Sequence, residues 1–278
     1  MMKRLMKRIL KFLFYFLRLI IRLNVIKTVY INFKTQTFRN AIKFPIFLYG
    51  DVKIITLKGQ IILNDIKPGV LKIGYKYIDL FPASLLPTQI KIDGLLLVKG
   101  NLIIGGGVHL NIERSYSRLI FGSNCTVGGG SFIKSTHEII CGDNVQITGE
   151  CTIMDCEMHY IKNIDSGIIK KNFGSIFIGN NCWINQRAVI VKNVVLPDFS
   201  IVARNSYINK DYSKYGSNLL LVGQPAVPSK YKVQRIFSIE KEKELNSIFR
   251  NNFQLSEIFD GDSYLSDNND CSIFNWKN

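Results

Sequence analysis

The first 50 residues of this 278-residue chain contain no aspartate or glutamate. They carry Lys3, Arg4, Lys7, Arg8, Lys11, Arg18, Arg22, Lys27, Lys34, Arg39 and Lys43, so most of the formal net charge of +15 sits in one terminal segment. That clustering argues against a nucleic-acid reader, whose basic residues are spread or striped over a folded surface. Long uncharged apolar runs are also missing. The opening "MMKRLMKRILKFLFYFLRLIIRLNVI" is broken by charge well before the roughly 18 residues that a membrane span needs. No small-residue cleavage site follows "FLFYFL", which argues against a secretory signal. On a helical wheel, Arg4, Lys7, Arg8, Lys11, Arg18 and Arg22 fall within an arc of roughly 100°, and the rest of the circumference is almost all aliphatic or aromatic. The pattern predicts a basic amphipathic helix over residues 1–27 lying in the plane of an anionic membrane surface. The alternative is a helix whose apolar face packs on the body of the protein or on another subunit.

Histidine is scarce, with only His109, His137 and His159. The six cysteines, at 125, 141, 151, 156, 182 and 271, include no CxxC pair and no zinc-like spacing. They read as small buried residues in a reducing compartment. With 47% hydrophobic residues, the chain can bury a substantial core.

What the sequence does have is a repeat. Cut every six residues from Ile178, it reads "IGNNCW", "INQRAV", "IVKNVV", "LPDFSI", "VARNSY", "INKDYS". The first position is always Ile, Leu or Val, and the fifth is small in all but the last. The same phase runs upstream in "FGSNCT", "VGGGSF", "IKSTHE", and after a two-residue slip in "CGDNVQ", "ITGECT", "IMDCEM". A period of six fits neither a helix nor an alternating strand. It fits a chain that turns a corner every six residues, pointing one aliphatic side chain inward per side. Three sides close a coil of about 18 residues, and coils stack at roughly the 4.8 Å spacing of paired strands. The fifth position is small because it lies at a corner. Cys125, Cys151 and Cys182 fall there, and Cys141 takes a first-position slot.

This repeat resembles that of the hexapeptide-repeat acyltransferases, in the branch that modifies sugars and polysaccharides. The resemblance implies an all-β solenoid, a left-handed parallel β-helix, with the amphipathic helix before it and a helix and tail after it. It is strong over about residues 100–228 and weaker over 44–99, where "VKIITLKGQIIL" and "GLLLVKGNLIIGGG" read as coils with irregular corners. The organisation expected is a helix at 1–27, the β-helix at 44–222, and a C-terminal turn, helix and tail at 223–278.

The repeat breaks after Met158 and resumes near Ile176 or Ile178. The polar "HYIKNIDSGIIKKNFGS" between reads as a loop at 159–175 thrown out from a corner, with His159 its first residue. Long loops on rigid frameworks commonly carry function. In the resembling family a histidine at the start of such a loop is the general base, with an aspartate four residues before it. By that resemblance His159 takes the proton from an acceptor hydroxyl or amine as it attacks the thioester of acetyl-CoA. An imidazole, with an ordinary pKa of about 6.5, is largely neutral near pH 7 and suits that task. Asp155 or Glu157 is the local candidate for orienting it. Cys156 makes a covalent Cys–His route conceivable, but the family transfers acyl groups directly. The paired histidines of the zinc-binding relatives are missing, so no metal is expected.

Downstream, "CWINQRAVIVKNVVLPDFSIVARNSYINKDY" and the "GQPA" turn at 223–226 resemble the family's CoA-binding end. The resemblance puts Asn185, Ala188 and Ala203 along the pantetheine arm, with Arg204 alongside. It leaves Lys230, Lys232 or Arg235 for the phosphates. Asn185 stands where the family usually has glycine, and asparagine tolerates a left-handed turn there. The groove in such relatives lies between subunits, which implies a homotrimer. The expected activity is acetyl transfer to a sugar or lipid-linked saccharide precursor, on the cytoplasmic face of a bacterial membrane. A non-catalytic β-helix scaffold is the alternative. A nucleic-acid partner is not expected.

Overall fold

The computed structural model describes residues 23–76, 86–252 and 254–257. Most of the predicted helix at 1–27 therefore lies outside the described residues, as do Cys271 and the C-terminal tail. The body is a parallel β-helix. Its strands form three sheets of nine, seven and six strands, each taking every third strand in chain order until the nine-stranded sheet ends in the two strands of a closing hairpin. The first face begins at Ile46–Leu48 and continues through Leu71–Tyr75, Leu102–Gly105, Cys125–Val127, Gln146–Ile147, Trp183–Ile184 and Ile201–Val202. The second runs from Val52–Leu57 to Tyr207–Ile208, and the third from Gln60–Leu63 to Val194–Leu196. Seven coils stack along one axis. Pairing Trp183 with Ile201 and Val189 with Tyr207 makes the last coils 18 residues long. Earlier coils are longer, as in the pairing of Thr126 with Gln146.

The first positions of the repeat stack into aliphatic columns. On the second face Ile90, Leu110, Ile133, Ile153, Ile190 and Ile208 follow one another coil by coil. None of the six is more than 1% exposed. At the fifth position Cys182, Ala188, Val194, Ser200, Ser206 and Tyr212 are all fully buried. Tyr212 departs from small size because no full coil follows it. Its ring fills the end of the core and its hydroxyl donates to the Ala226 carbonyl at 2.8 Å. A hairpin of Leu220–Gly223 with Ala226–Pro228, the only antiparallel strand pair among the described residues, closes that end.

The corners have their own chemistry. One column takes left-handed backbone at Asn124, Asn144, Asn181, Phe199 and Asn218, and another at Gly107, Gly130, Glu150, Arg187 and Asn205. Asparagine adopts that conformation more readily than most residues, so its frequency at corners is steric. The side chains also bond from coil to coil. Asn144 donates to Asn181 at 3.0 Å, and Asp143, Asn180 and Asp198 accept from backbone N–H groups of Ser123, Asp143 and Asn180.

The first coil presents unpaired strand edge at its open end, and helix α1 (Val25–Thr35) covers it. Asn24 caps α1, accepting from the Lys27 N–H. The helix thus starts within the span expected to belong to the preceding one. Its inner face is polar. Asn32 donates to the Ile46 carbonyl and accepts from the Ile46 N–H, Thr28 accepts from the Leu48 N–H, and Gln36 donates to the Ile61 carbonyl. A short helix α2 (Phe38–Ala41) leads into the first strand. At the other terminus α3 (Ile239–Asn251) is capped by Ser238, with Glu240 and Glu242 in its first turn, as suits the positive end of the helix dipole.

Because each aliphatic column is continuous, a gap in one coil is felt by both neighbours. Ile190→Ala should lower unfolding stability by about 2–5 kcal/mol. Val222→Ala, exposed on the closing hairpin, should stay within about 0.5 kcal/mol. Denaturant unfolding of the two variants checks this.

Candidate active site

The excursion leaves the fifth coil after Thr152–Met154 and returns at Ile176–Ile178. It therefore starts at Asp155, four residues before the expected boundary. It is an antiparallel finger. Cys156 bridges Phe173, Lys162 bridges Ile169, and a turn at 163–168 closes the tip, where the Asn163 side chain accepts from the Ser166 N–H. Glu157 donates its N–H to the Asn172 carbonyl at 2.6 Å. Residues 157–171 are exposed throughout. His159 is exposed on the outgoing limb.

Asp155 is fully buried. Its carboxylate accepts from the Thr136 N–H (2.7 Å) and hydroxyl (2.9 Å), the His137 N–H (2.8 Å) and the Ser135 hydroxyl (3.2 Å). These four bonds tie the root of the finger to the corner of the preceding coil. Asp155 accepts none from His159; its four bonds fix where the finger starts. Glu157, the other expected partner of His159, pairs with Lys192 of the next coil at 2.8 Å. The residues around the root thus reach both neighbouring coils.

Sequence reading missed Lys134, Glu113 and Lys192. Lys134 points off the second face, yet it is only 6% exposed. Its ammonium pairs with Glu113 at 2.9 Å and lies 3.4 Å from the Met158 sulfur. Along the same row, Lys91 and Lys134 flank Asn111, whose side-chain oxygen is buried without a hydrogen-bond partner. A lysine in the second position of "IKSTHE" reads as solvent-facing. The finger folding back over it is what buries it, and no periodicity reveals that.

Cys156 is a poor nucleophile here. Burial pushes its thiol above the ordinary range, and Thr136 and Lys134 only partly offset this. Cys125, Cys141, Cys151 and Cys182 are buried in the core. Of the other histidines, His109 is on the second face against Phe132, and His137 is at the corner beneath the finger root, its ring beside Phe173. Among the described residues no group of three His, Cys, Asp or Glu side chains is arranged to hold a metal ion.

The expected donor residues are spread over the sixth and seventh coils. Asn185 does not have left-handed backbone. Arg187 does, with φ +62°, so the turn is made two residues later than expected. The Asn185 amide donates to the Val202 carbonyl at 2.9 Å and lies along the ladder. The Ala188 methyl is in the core, and its N–H and carbonyl are used by Asn185 and Thr152. Ala203 is half-buried, and Arg204 is exposed. Lys230 is exposed, its ammonium over the Tyr231 ring. Lys232 is committed to the Tyr215 and Ser217 carbonyls, both at 2.7 Å. Arg235 lies between Trp183 and Phe237 and donates to Gln146, which staples the C-terminal segment onto the first face.

No protein-family model matches the chain. A probable macrolide acetyltransferase from Lysinibacillus sphaericus is 30% identical over 162 residues, which are 54% of this chain and 80% of that protein. The chain belongs to the hexapeptide-repeat acetyltransferases. Its solenoid is the left-handed β-helix of that family, and it is an acetyltransferase. The scaffold alternative is thereby set aside. Among solved structures, the polysialic-acid-specific acetyltransferase NeuO is similar at 14% identity, with 73% of this chain and 93% of that one covered and a TM-score of 0.46. The polysialic acid O-acetyltransferase OatWY is similar at 16% identity, covering 73% and 97%, with a TM-score of 0.42. AntD, an N-acyltransferase from Bacillus cereus, is similar at 13% identity, covering 74% and 88%, with a TM-score of 0.35.

The role of Asp155 can be tested directly. Asp155→Ala strips the Thr136 and His137 N–H groups of their acceptor, at about 1–3 kcal/mol for each buried unpaired group. Thermal unfolding should shift down accordingly, and limited proteolysis should nick residues 157–171 sooner. The shape of the pH–rate profile should not change. A changed profile at unchanged stability would return Asp155 to the side of His159.

Proposed function

We propose that the chain moves an acetyl group from acetyl-CoA to a hydroxyl of a sugar or lipid-linked saccharide, with His159 as general base. The observation that carries this is the exposed His159 near the root of a long finger that two neighbouring coils fasten through Asp155, Glu157 and Lys134. A general base must be reachable by substrate and still be held in place. The imidazole accepts the hydroxyl proton as the acceptor oxygen bonds to the thioester carbonyl carbon. The C–S bond then breaks and the CoA thiolate takes up the proton. The polar row of Lys91, Asn111 and Lys134, of which Lys134 is buried against Met158, suits the polar acceptor. Amine acceptors are compatible with the same step.

The donor supplies an activated thioester, and the residues present suit its phosphates and extended arm. The exposed Arg204 and Lys230 are the cations for the phosphates, and half-buried Ala203 and Asn185 would lie along the arm. Ala188 would contribute by packing alone, since its backbone groups are already used. The active form is a homotrimer with its donor groove between subunits. It works on the cytoplasmic face of a bacterial membrane, held peripherally by residues 1–27.

His159→Ala should cut kcat by at least about 100-fold with acetyl-CoA binding intact, the lower range for loss of a general base. Acetyl release in steady state, with a thermal-shift titration of acetyl-CoA alongside longer acyl-CoAs, measures both terms. Near-normal turnover would remove His159 from the reaction. Light scattering of a fully active monomer would remove the trimer.

A further inference from the structure

Helix α1 is inside out for a helix on a soluble surface. Thr28, Ile31, Asn32 and Thr35 share its inner face, where Thr28 and Asn32 satisfy the edge of the first coil and Thr35 donates back to the Ile31 carbonyl. Ile26, Val29, Tyr30 and Phe33, at i, i+3, i+4 and i+7, form the outer stripe. All four are exposed, Ile26 at 83%, and Phe38 at 74% and Ile42 at 52% extend the same apolar end cap. Lys34, Arg39 and Lys43 are exposed beside it.

A surface of this kind needs an apolar cover that tolerates positive charge. Residues 1–22 of the same chain carry Arg4, Lys7, Arg8, Lys11, Arg18 and Arg22, and a second copy would bring an identical basic cap. Either could supply an apolar face but no negative charge for Lys34, Arg39 and Lys43, since no acidic residue precedes Asp51. An anionic lipid surface supplies both the apolar phase and the missing negative charge.

We propose that this end cap, the outer stripe of α1 with Phe38 and Ile42, lies on an anionic membrane surface, so that the solenoid stands end-on upon it. The proposal rests on the peripheral-membrane reading of residues 1–27 and adds a lipid-facing element in the folded domain. It also fixes an orientation. The finger leaves the fifth coil, four strand spacings along the second face. At about 4.8 Å each that is roughly 19 Å, plus about 10 Å for the helix layer. His159 then faces substrates about 30 Å above the lipid, a height suited to an outer sugar of a membrane-linked saccharide rather than to its headgroup.

The test is flotation of the full chain with phosphatidylcholine vesicles, with and without phosphatidylglycerol, at low and high salt. Wild type should float only with the anionic vesicles. The variant Ile26→Glu/Phe33→Glu/Phe38→Glu should partition at least about tenfold less, while Val222→Glu/Val227→Glu at the opposite end floats as wild type. Turnover of a soluble acceptor by the cap variant should equal wild type, which also checks its fold. If that check fails, Lys34→Glu/Arg39→Glu/Lys43→Glu decides by the same loss of partition. A cap variant that floats as wild type overturns the proposal and leaves the role of residues 1–27 standing. Failure of wild type to float overturns both. A wild type that self-associates without vesicles, and a cap variant that does not, assigns the face to a second copy and overturns it as well.

Discussion

Every coil of this protein draws its backbone hydrogen bonds from the coils above and below it. Within a coil the chain makes almost no regular bonds of its own, so no coil is stable alone. Two consequences follow from that ladder. The two ends of the stack expose unpaired edge and open core, and each needs a dedicated cover. Any insertion must leave at a corner, because leaving from mid-strand would break pairing on both sides. The end covers are α1, with Asn32 and Thr28 bonding the first strand, and Tyr212 with the closing hairpin. The insertion leaves at the corner after Met154.

The finger shows how a solenoid can hold a long loop without giving it a core of its own. Asp155 is drawn down to residues 135–137 of the preceding coil, and Glu157 is drawn up to Lys192 of the following one. Lys134 fills the angle beneath Met158. Asp155 and Glu157 are thus anchored to two different coils, and Met158 rests on Lys134, before His159 is reached. Between Tyr160 and Lys170 the finger is held only by the Lys162–Ile169 bridge and bonds of its own turn, so its tip is the part free to adapt to an acceptor.

The repeat made the fold legible, because a six-residue period with an aliphatic first position has few other physical solutions. Ile153, Ile190 and Ile208, and the buried cysteines, sit where that pattern puts them. The corner chemistry was harder to read. The residue type suits Asn185 to the left-handed position of its turn, whereas Arg187 holds that conformation. A left-handed arginine gives no sequence signal, since glycine and asparagine are the residues that mark such positions. Asp155 lies in the expected aspartate-to-histidine spacing, but its partners come from 18 to 20 residues earlier in the chain. Spacing along the sequence reports neighbours on one coil, and here the bonds that matter run between coils. Arg235 illustrates the same limit. It reads as a free cation near a CoA site, and it is held by Trp183 and Gln146, far upstream.

A stack that couples only nearest neighbours also separates its tasks along the axis. A change in α1 alters the first coil and fades over the next, because each coil meets only the two beside it. Effects at sites more than about 7–10 Å apart with no shared partners are usually additive, and the first and fifth coils are well beyond that. The end cap is therefore free to carry exposed apolar and basic residues that would be costly near the finger. The same logic holds at the far end, where Tyr212 can break the small-residue rule without disturbing the sixth coil. Among the described residues, the α1 cover, the Tyr212 end and the corner from which the finger departs each carry their irregularity without altering coils beyond their neighbours.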